Sequence, residues 1–531
     1  MKTNKLFLAA SLAFLLSATS CTELLDESYG KVVSENYTPK SELEISALVN
    51  AAYIPWRKTM LLWNGVVRTQ ELSADQDVIP ARIGIGWLDG YIYKRWHQHT
   101  WTTNDDGMWQ PWTRTYEGIN NTNRIIAQIE EGLIVLPSEE QKQALLAELH
   151  VLRASYYYIL VDLFGNVPLV TDFRDTSLPQ QSTRAEVFDY IISEINENIN
   201  LLSDEPRGYY YGRMNKWVAH TLLAKMYLNA QVWRGEAMWQ QCIAECDLVM
   251  ASGHYTLETN QKNIFITENQ NSKEIIFALP MDELYVTDWN AFDFHMQTLA
   301  QESQQTYSMT YAPWGGVCAI PQFIESFNPE DKRLEQNYIK GPQFARNGDP
   351  LSINYTNSVP SIDESDKDDG YRWGKFEIKI GAQNRLGNDF PVFRYADILL
   401  MKAEALMRSG QGGAGALVTQ VRMRDFDNPN LAVVTDEQLT QGSTYDYGRR
   451  DTYSETHDGG ADITFGRFLD ELGWEFCQEG RRRQDLVRFG VFTTKSWFSH
   501  DPSNTNRNLY PIPLQAMQTN SNLVQNPGYG D

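Results

Sequence analysis

Apolar side chains recur every three to four positions through most of the first half of the chain and again near its end. That spacing predicts helices over about 41–58, 107–132, 138–164, 183–203, 213–231, 236–251, 393–409 and 463–480. Short turns separate consecutive helices, as in helical-hairpin repeats that bury a shared core by stacking. In GRMNKWVAHTLLAKMYLNA, Ala219, Ala224 and Ala230 alternate with Trp217, Leu222, Leu223, Tyr227 and Leu228, so neighbours can approach this helix closely on more than one side.

Between 252 and 390 the helical pattern fades, and short apolar runs such as EIIFALP (274–280) alternate with Gly, Asn, Pro and Asp clusters. Long irregular segments within a compact protein usually carry function. The expected fold is therefore mostly α, with a helical scaffold over about 41–251 and 390–490 and an irregular, loop-rich lobe with short strands over about 252–390. No stretch is poor enough in apolar residues to act as a linker, so 21–531 is expected to be one domain behind a leader of residues 1–20.

The leader begins with Lys2 and Lys5 and continues as an apolar run, Leu6 to Leu16, broken only by Ser11. The run is about half the ~20 residues of a membrane span, so it reads as an export signal. It ends in Ala18-Thr19-Ser20-Cys21, which resembles a bacterial lipoprotein signal with Cys21 as the lipidated first residue, although Ala18 stands where a larger aliphatic is usual.

Charge then narrows the partners. Without residues 1–20, 44 basic side chains face 68 acidic ones, a net charge of −24. Such a surface repels nucleic acid. Of the remaining cysteines, Cys242 and Cys246 are four apart on one predicted helix, a spacing poor for a disulfide and incomplete for zinc, while Cys318 and Cys477 stand alone.

Several blocks together resemble the SusD/RagB family of Bacteroidetes outer-membrane lipoproteins. ELHVLRASYYYILVDLFGNVPLV (148–170) is similar to that family's long helix running into a Phe-Gly-x-x-Pro-Leu turn, and YGRMNKWVAHTLLAKMYLNA to its Gly-Arg-x-x-Lys-Trp-Ala block. FPVFRYADILLMKAEALMRSG (390–410), LGWEFCQEGRRRQDLVRFG (472–490) and LYPIPLQAMQTNSNLVQNPGY (509–529) follow in the family's order, with Leu472 departing from a common arginine. The resemblance implies four tetratricopeptide-type hairpins in a right-handed superhelix capped by an irregular lobe. It also implies a cell-surface protein, lipid-anchored to the outer membrane, that covers a SusC-like TonB-dependent transporter and delivers captured oligosaccharide to it without catalysis. A lid for peptide import on the same scaffold is the alternative reading, and a surface glycoside hydrolase a further one.

Candidate chemistry divides into charged motifs and aromatic ones. Glu471, Glu475 and Glu479 lie on one helical face. A catalytic carboxylate pair is conceivable there, but pairing with scaffold arginines such as Arg394 is the favoured reading. Arg394, Asp397 and Glu404 flank the apolar ILLMKAEAL, where charges must be paired to be tolerated. In DESDKDDG (363–370), taking Gly370 as loop position six puts Phe376 at position twelve, so the EF-hand pattern fails; a solvated acidic loop is expected, with a looser calcium site as the alternative. His97-Gln98-His99 lacks a third metal ligand. No phosphate loop, nucleophile elbow or His-Glu-x-x-His motif occurs, so neither cofactor nor metal is implied.

The aromatic residues are more informative. The stretch GWLDGYIYKRWHQHTW (86–101) holds three tryptophans and two tyrosines. Its later part leads into the first long helix pair, where Trp101, Trp112 and Tyr116 read as core. Trp87, Trp289 and Trp314 instead sit in GWLDG, VTDWNAF and YAPWGG, contexts of turns and loops. An indole offers a flat apolar face and one N–H, which suits the C–H face of a sugar ring. The candidate ligand contacts are therefore Trp87, Trp289 and Trp314, supported by Tyr91, Asp75, Asp77, Asn290 and Arg372.

Overall fold

The structure is a computed structural model that describes residues 39, 41–85 and 87–530. The leader and the lipidation site at Cys21 lie outside the described residues.

Eight scaffold helices form four antiparallel hairpins. Numbering these alone, they are α1 (Glu42–Leu61) with α2 (Asp106–Glu130), α3 (Glu139–Leu163) with α4 (Arg184–Asn198), α5 (Lys216–Trp233) with α6 (Trp239–Ala251), and α7 (Tyr395–Arg408) with α8 (Ala414–Arg422). Each helix packs on the next in sequence, so the hairpins stack into one array. The starts follow from local chemistry: the hydroxyls of Ser41, Ser138 and Thr183 accept the backbone N–H of Glu44, Gln141 and Glu186, and Asn215 caps α5. These bonds satisfy donors that the first helical turn leaves without partners. Ala219, Ala224 and Ala230 are fully buried, as their interleaving predicts. At Gly118 of α2 an added Cβ would lie 2.2 Å from the Tyr156 ring of α3, so only glycine allows this approach.

Two segments interrupt the array. One, residues 62–105, lies inside the first hairpin; the other is the lobe between α6 and α7. The lobe's ends are closed by an antiparallel pair, Ile275–Leu279 with Phe390–Arg394, whose first strand is the buried apolar run anticipated at 274–280. A second pair, Asp77–Val78 with Cys318–Ala319, ties the insertion of the first hairpin to the lobe. One hydrophobic core runs through scaffold and lobe, with members from Ile45 to Tyr529. Cys242, Cys246, Cys318 and Cys477 are all buried free thiols.

Beyond the hairpins, α9 (Gly466–Phe476) and α10 (Arg482–Arg488) carry a buried charge network. The expected helix over 463–480 stops at Phe476, because Gln478 and Gly480 take left-handed backbone conformations. The favoured reading of its acids holds. Arg394 contacts Glu475 at 2.7 Å, Glu479 at 2.8 Å and Glu274 at 2.9 Å, while Arg333 reaches Glu471 at 2.7 Å and Glu475 at 3.1 Å. Glu404 is likewise held by Arg488 and Arg408, each at 2.7 Å, and Asp397 by Arg481.

His97 and His99 close the aromatic stretch as core residues, at a helix end and in the turn after it. With His500 they form a buried cluster in which His97 Nε2 meets the Phe498 carbonyl, His99 Nε2 the Ser73 carbonyl at 2.8 Å, and His500 stacks on Trp497 at 3.7 Å. Burial lowers His97 to about 4 and His99 to about 3. A histidine whose folded pKa is depressed binds fewer protons folded than unfolded below pH 6.5, so stability falls as pH drops through that window. The contribution of His99 is expected to shrink by about 2–3 kcal/mol between pH 7 and 4.5. Thermal unfolding of His99→Gln across that range should show a shallower acid slope than the natural chain; an unchanged slope would refute the assignment.

Candidate functional site

The insertion of the first hairpin and the lobe meet at a patch of tryptophans. Trp63 follows α1, Trp87 comes from the same insertion, and Trp314 comes from the lobe. Their ring centroids are 6.3 Å (Trp63–Trp87), 5.6 Å (Trp87–Trp314) and 6.4 Å (Trp63–Trp314) apart, with planes inclined by 49°, 57° and 74°. All three are half-buried. The rings therefore form a faceted surface instead of a flat platform.

Each ring is seated by its neighbours. The Trp87 indole N–H donates to Asp89 at 2.9 Å, and the Tyr93 hydroxyl donates to the same carboxylate oxygen at 2.6 Å. Asp89, Gly90 and Tyr91 all have left-handed backbone, a conformation costing about 1–3 kcal/mol for a non-glycine residue and typical of functional turns. The run leaves Tyr91 51% exposed. Arg68 stacks over Trp63 at 4.7 Å and is fixed by Asn64 and Asp293, each at 3.3 Å. Burial raises Asp293 to about 6 against the lowering effect of Arg68.

The other face of Trp87 packs on Gly316. A Cβ there would lie 2.3 Å from the indole, and the Gly316 carbonyl accepts from Arg82 Nη2 at 3.0 Å. Gly316→Ala is thus expected to unseat Trp87, lowering stability by about 1–3 kcal/mol and weakening ligand binding; tryptophan fluorescence and titration together would check both.

The remaining candidates separate. Trp289 is 64% exposed, and its loop is docked on the end of α1 by Asp288, which pairs with Arg57 at 3.1 Å and Lys58 at 3.4 Å. Its ring is not in stacking contact with the other three among the described residues. Asn290 is buried in a left-handed turn beside it.

Asp75, Asp77 and Arg372 take internal roles, which corrects their reading as ligand contacts. Asp75 accepts from Arg482 at 2.7 and 2.9 Å and from the Tyr447 hydroxyl. Asp77 accepts the Trp373 indole N–H at 2.6 Å, and burial, reinforced by Glu71, holds its carboxyl well above the usual range. Arg372 is fully buried over Tyr355 and donates to the Val317 and Lys367 carbonyls. Adjacency in sequence placed them near the site, but the ion pair to Arg482 and the hydrogen bonds to Trp373 and to main-chain carbonyls hold them in the interior.

The acidic loop 363–370 is also engaged by protein groups. Arg82 donates to the carbonyls of Asp366 and Asp369, Lys367 pairs with Glu302 at 2.5 Å, and Lys94 pairs with Asp363.

Trp63 is the member of the patch that the sequence reading missed. Its signal was present: Trp63-Asn64-Gly65 is a tryptophan beside a turn dipeptide, the same context that singled out Trp87. The apolar run of α1 that directly precedes it masks that context.

Comparisons with known proteins agree with this architecture. A family model described as "SusD family" matches residues 273–529, and one described as "Starch-binding associating with outer membrane" matches 69–228. The starch-binding protein SusD of Bacteroides thetaiotaomicron is 26% identical over 432 residues, covering 72% of each chain. A SusD-like protein of Bacteroides ovatus is 24% identical and covers 99% of this chain and 96% of its own. Among solved structures, a laminarin-binding SusD-like protein superposes with a TM-score of 0.70 at 22% identity, over 92% of this chain and all of that one. Surface glycan-binding protein A of Bacteroides thetaiotaomicron, in complex with laminarihexaose, gives 0.68 at 18% identity with the same coverage. Hairpin array, closing strand pair and ordered sequence blocks lead to one conclusion: the chain belongs to the SusD family.

Proposed function

We propose that the protein captures oligosaccharides at the Trp63–Trp87–Trp314 patch, without catalysis, and delivers them to a SusC-like TonB-dependent transporter at the outer membrane, anchored through Cys21. The observation that carries the reading is the patch itself: three half-buried indoles from two separate insertions, inclined to one another and within 6.4 Å of each other. Sugar rings present C–H faces that such surfaces bind, and hydroxyls that nearby polar groups can accept or donate to.

Several facts support the wider assignment. One matching family model is described as associating with the outer membrane. Known binders of starch and laminarin share the family or the fold. The acids Glu471, Glu475 and Glu479, the strongest hydrolase candidates in the sequence, are buried and engaged in ion pairs with arginines.

Isothermal titration of the full chain against neutral and acidic glycans, with product analysis, tests the reading. Binding without product formation is expected; binding to peptides with none to any glycan would overturn it.

A further inference from the structure

We propose that the protein has a second carbohydrate site, selective for uncharged oligosaccharides, in the large groove between the outer face of α2 and the C-terminal segment. The groove has a volume of about 1210 Å³. That exceeds the ~300–1,000 Å³ of a typical small-ligand cleft and suits a chain of several sugar rings. It shares no lining residue with the Trp63–Trp87–Trp314 patch, so the proposal goes beyond the function given above.

Its floor and one wall come from α2. Trp109, Tyr116, Glu117 and Asn120 fall at helical positions that share one face. Trp109 and Tyr116 are half-buried, while Glu117 and Asn120 are exposed. Aromatic faces beside amide and carboxylate groups supply the two contacts that a pyranose needs, an apolar plane for its C–H face and planar acceptors and donors for its hydroxyls.

The opposite wall is a built structure. Asn520 and Asn522 each donate at 2.9 Å, to the carbonyls of Pro179 and Leu178 respectively. Gln181 both donates to and accepts from the backbone of Val524. The Tyr116 hydroxyl is fixed on the Pro168 carbonyl at 2.9 Å. A cleft ordered before binding loses less entropy when it closes on a flexible ligand. These bonds also use up backbone groups that an extended peptide would need for strand pairing.

The charge pattern selects among sugars. No lysine, arginine or histidine is among the described lining residues, whereas Glu117, Asp172 and Asp175 are. Asp172 is paired with Arg174 at 2.9 Å, but Glu117 and Asp175 have no ion-pair partner among the described residues, so an anionic glycan would meet net negative charge and a neutral one is favoured.

Titration of the full chain carrying Trp87→Ala and Trp314→Ala tests the groove separately from the patch. The probes are neutral hexaoses (laminarihexaose, maltohexaose, xylohexaose and mannohexaose) and an oligogalacturonide of equal length. At least one neutral hexaose should still bind with one site per chain, and the oligogalacturonide at least tenfold more weakly. Adding Trp109→Ala should weaken that binding at least tenfold, and adding Asn120→Ala, an exposed position whose loss leaves the fold intact, about threefold. Failure of every neutral hexaose to bind the double variant, or binding unaffected by both groove substitutions, would overturn the proposal. If the natural chain and the double variant bind alike and Trp109→Ala abolishes both, the groove stands and the patch reading falls.

Discussion

Arg394→Met is expected to destabilise the protein by about 3–5 kcal/mol, the usual cost of removing one partner from a buried ion pair. Arg394 is fully buried and binds three carboxylates together with the Glu475 carbonyl. Methionine would fill much of the volume and leave those acids facing one another with less compensation. Arg424 and Lys375 also contact Glu475 and Glu479, so the network would be weakened and not emptied.

The same network sets an acid limit. Burial alone would raise Glu479, but Arg394 and then Lys375 outweigh it and hold the group below the ordinary carboxylate value. A carboxyl depressed in the folded state contributes stability that is complete above its unfolded pKa near 4.5 and lost as pH falls through its folded value. Arg394→Met should therefore lower the unfolding midpoint at pH 7, and the gap to the natural chain should narrow below pH 4. Midpoints at pH 7 that agree within a degree would refute the structural role.

The second large effect is on binding. Trp87→Ala with Trp314→Ala should weaken oligosaccharide binding at the patch by about thirtyfold or more, corresponding to the ~2 kcal/mol typical of a dominant contact residue. Because both rings are half-buried, some stability will be lost too, but less than for Arg394→Met. Trp289→Ala provides the contrast. That ring is 64% exposed, so its removal should leave unfolding unchanged, and any loss of affinity would show that the ligand extends from the patch to the end of α1. Titration and thermal unfolding of the three variants separate these outcomes.

Much of the scaffold was legible before folding. Seven of the scaffold helices follow from apolar spacing, because they pack on neighbours through one or two faces. Helix α8, AGALVTQVR, escaped: it is nine residues long and preceded by Gly412 and Gly413, so its pattern was too short to rise above a loop. The site was legible only in part. Trp87 and Trp314 were recognisable because turn residues surround them, and each finds its partners across the Asp77–Val78 and Cys318–Ala319 pairing, a contact between segments some 240 residues apart that no local pattern reveals. Asp75, Asp77 and Arg372 show the converse. A charged residue near an aromatic loop looks like a ligand contact in one dimension, and only the position of Arg482, Trp373 and Tyr355 shows that it faces inward.

The two-residue strand pair that joins the first hairpin's insertion to the lobe has an evolutionary consequence. The patch has two independent authors: one insertion writes Trp63 and Trp87, the other Trp314. Substitutions confined to the exposed turns of one insertion can alter its rings while the buried residues shared with the core stay as they are. Ligand range in such a scaffold can drift stepwise, with one half retaining the old sugar while the other samples a new one.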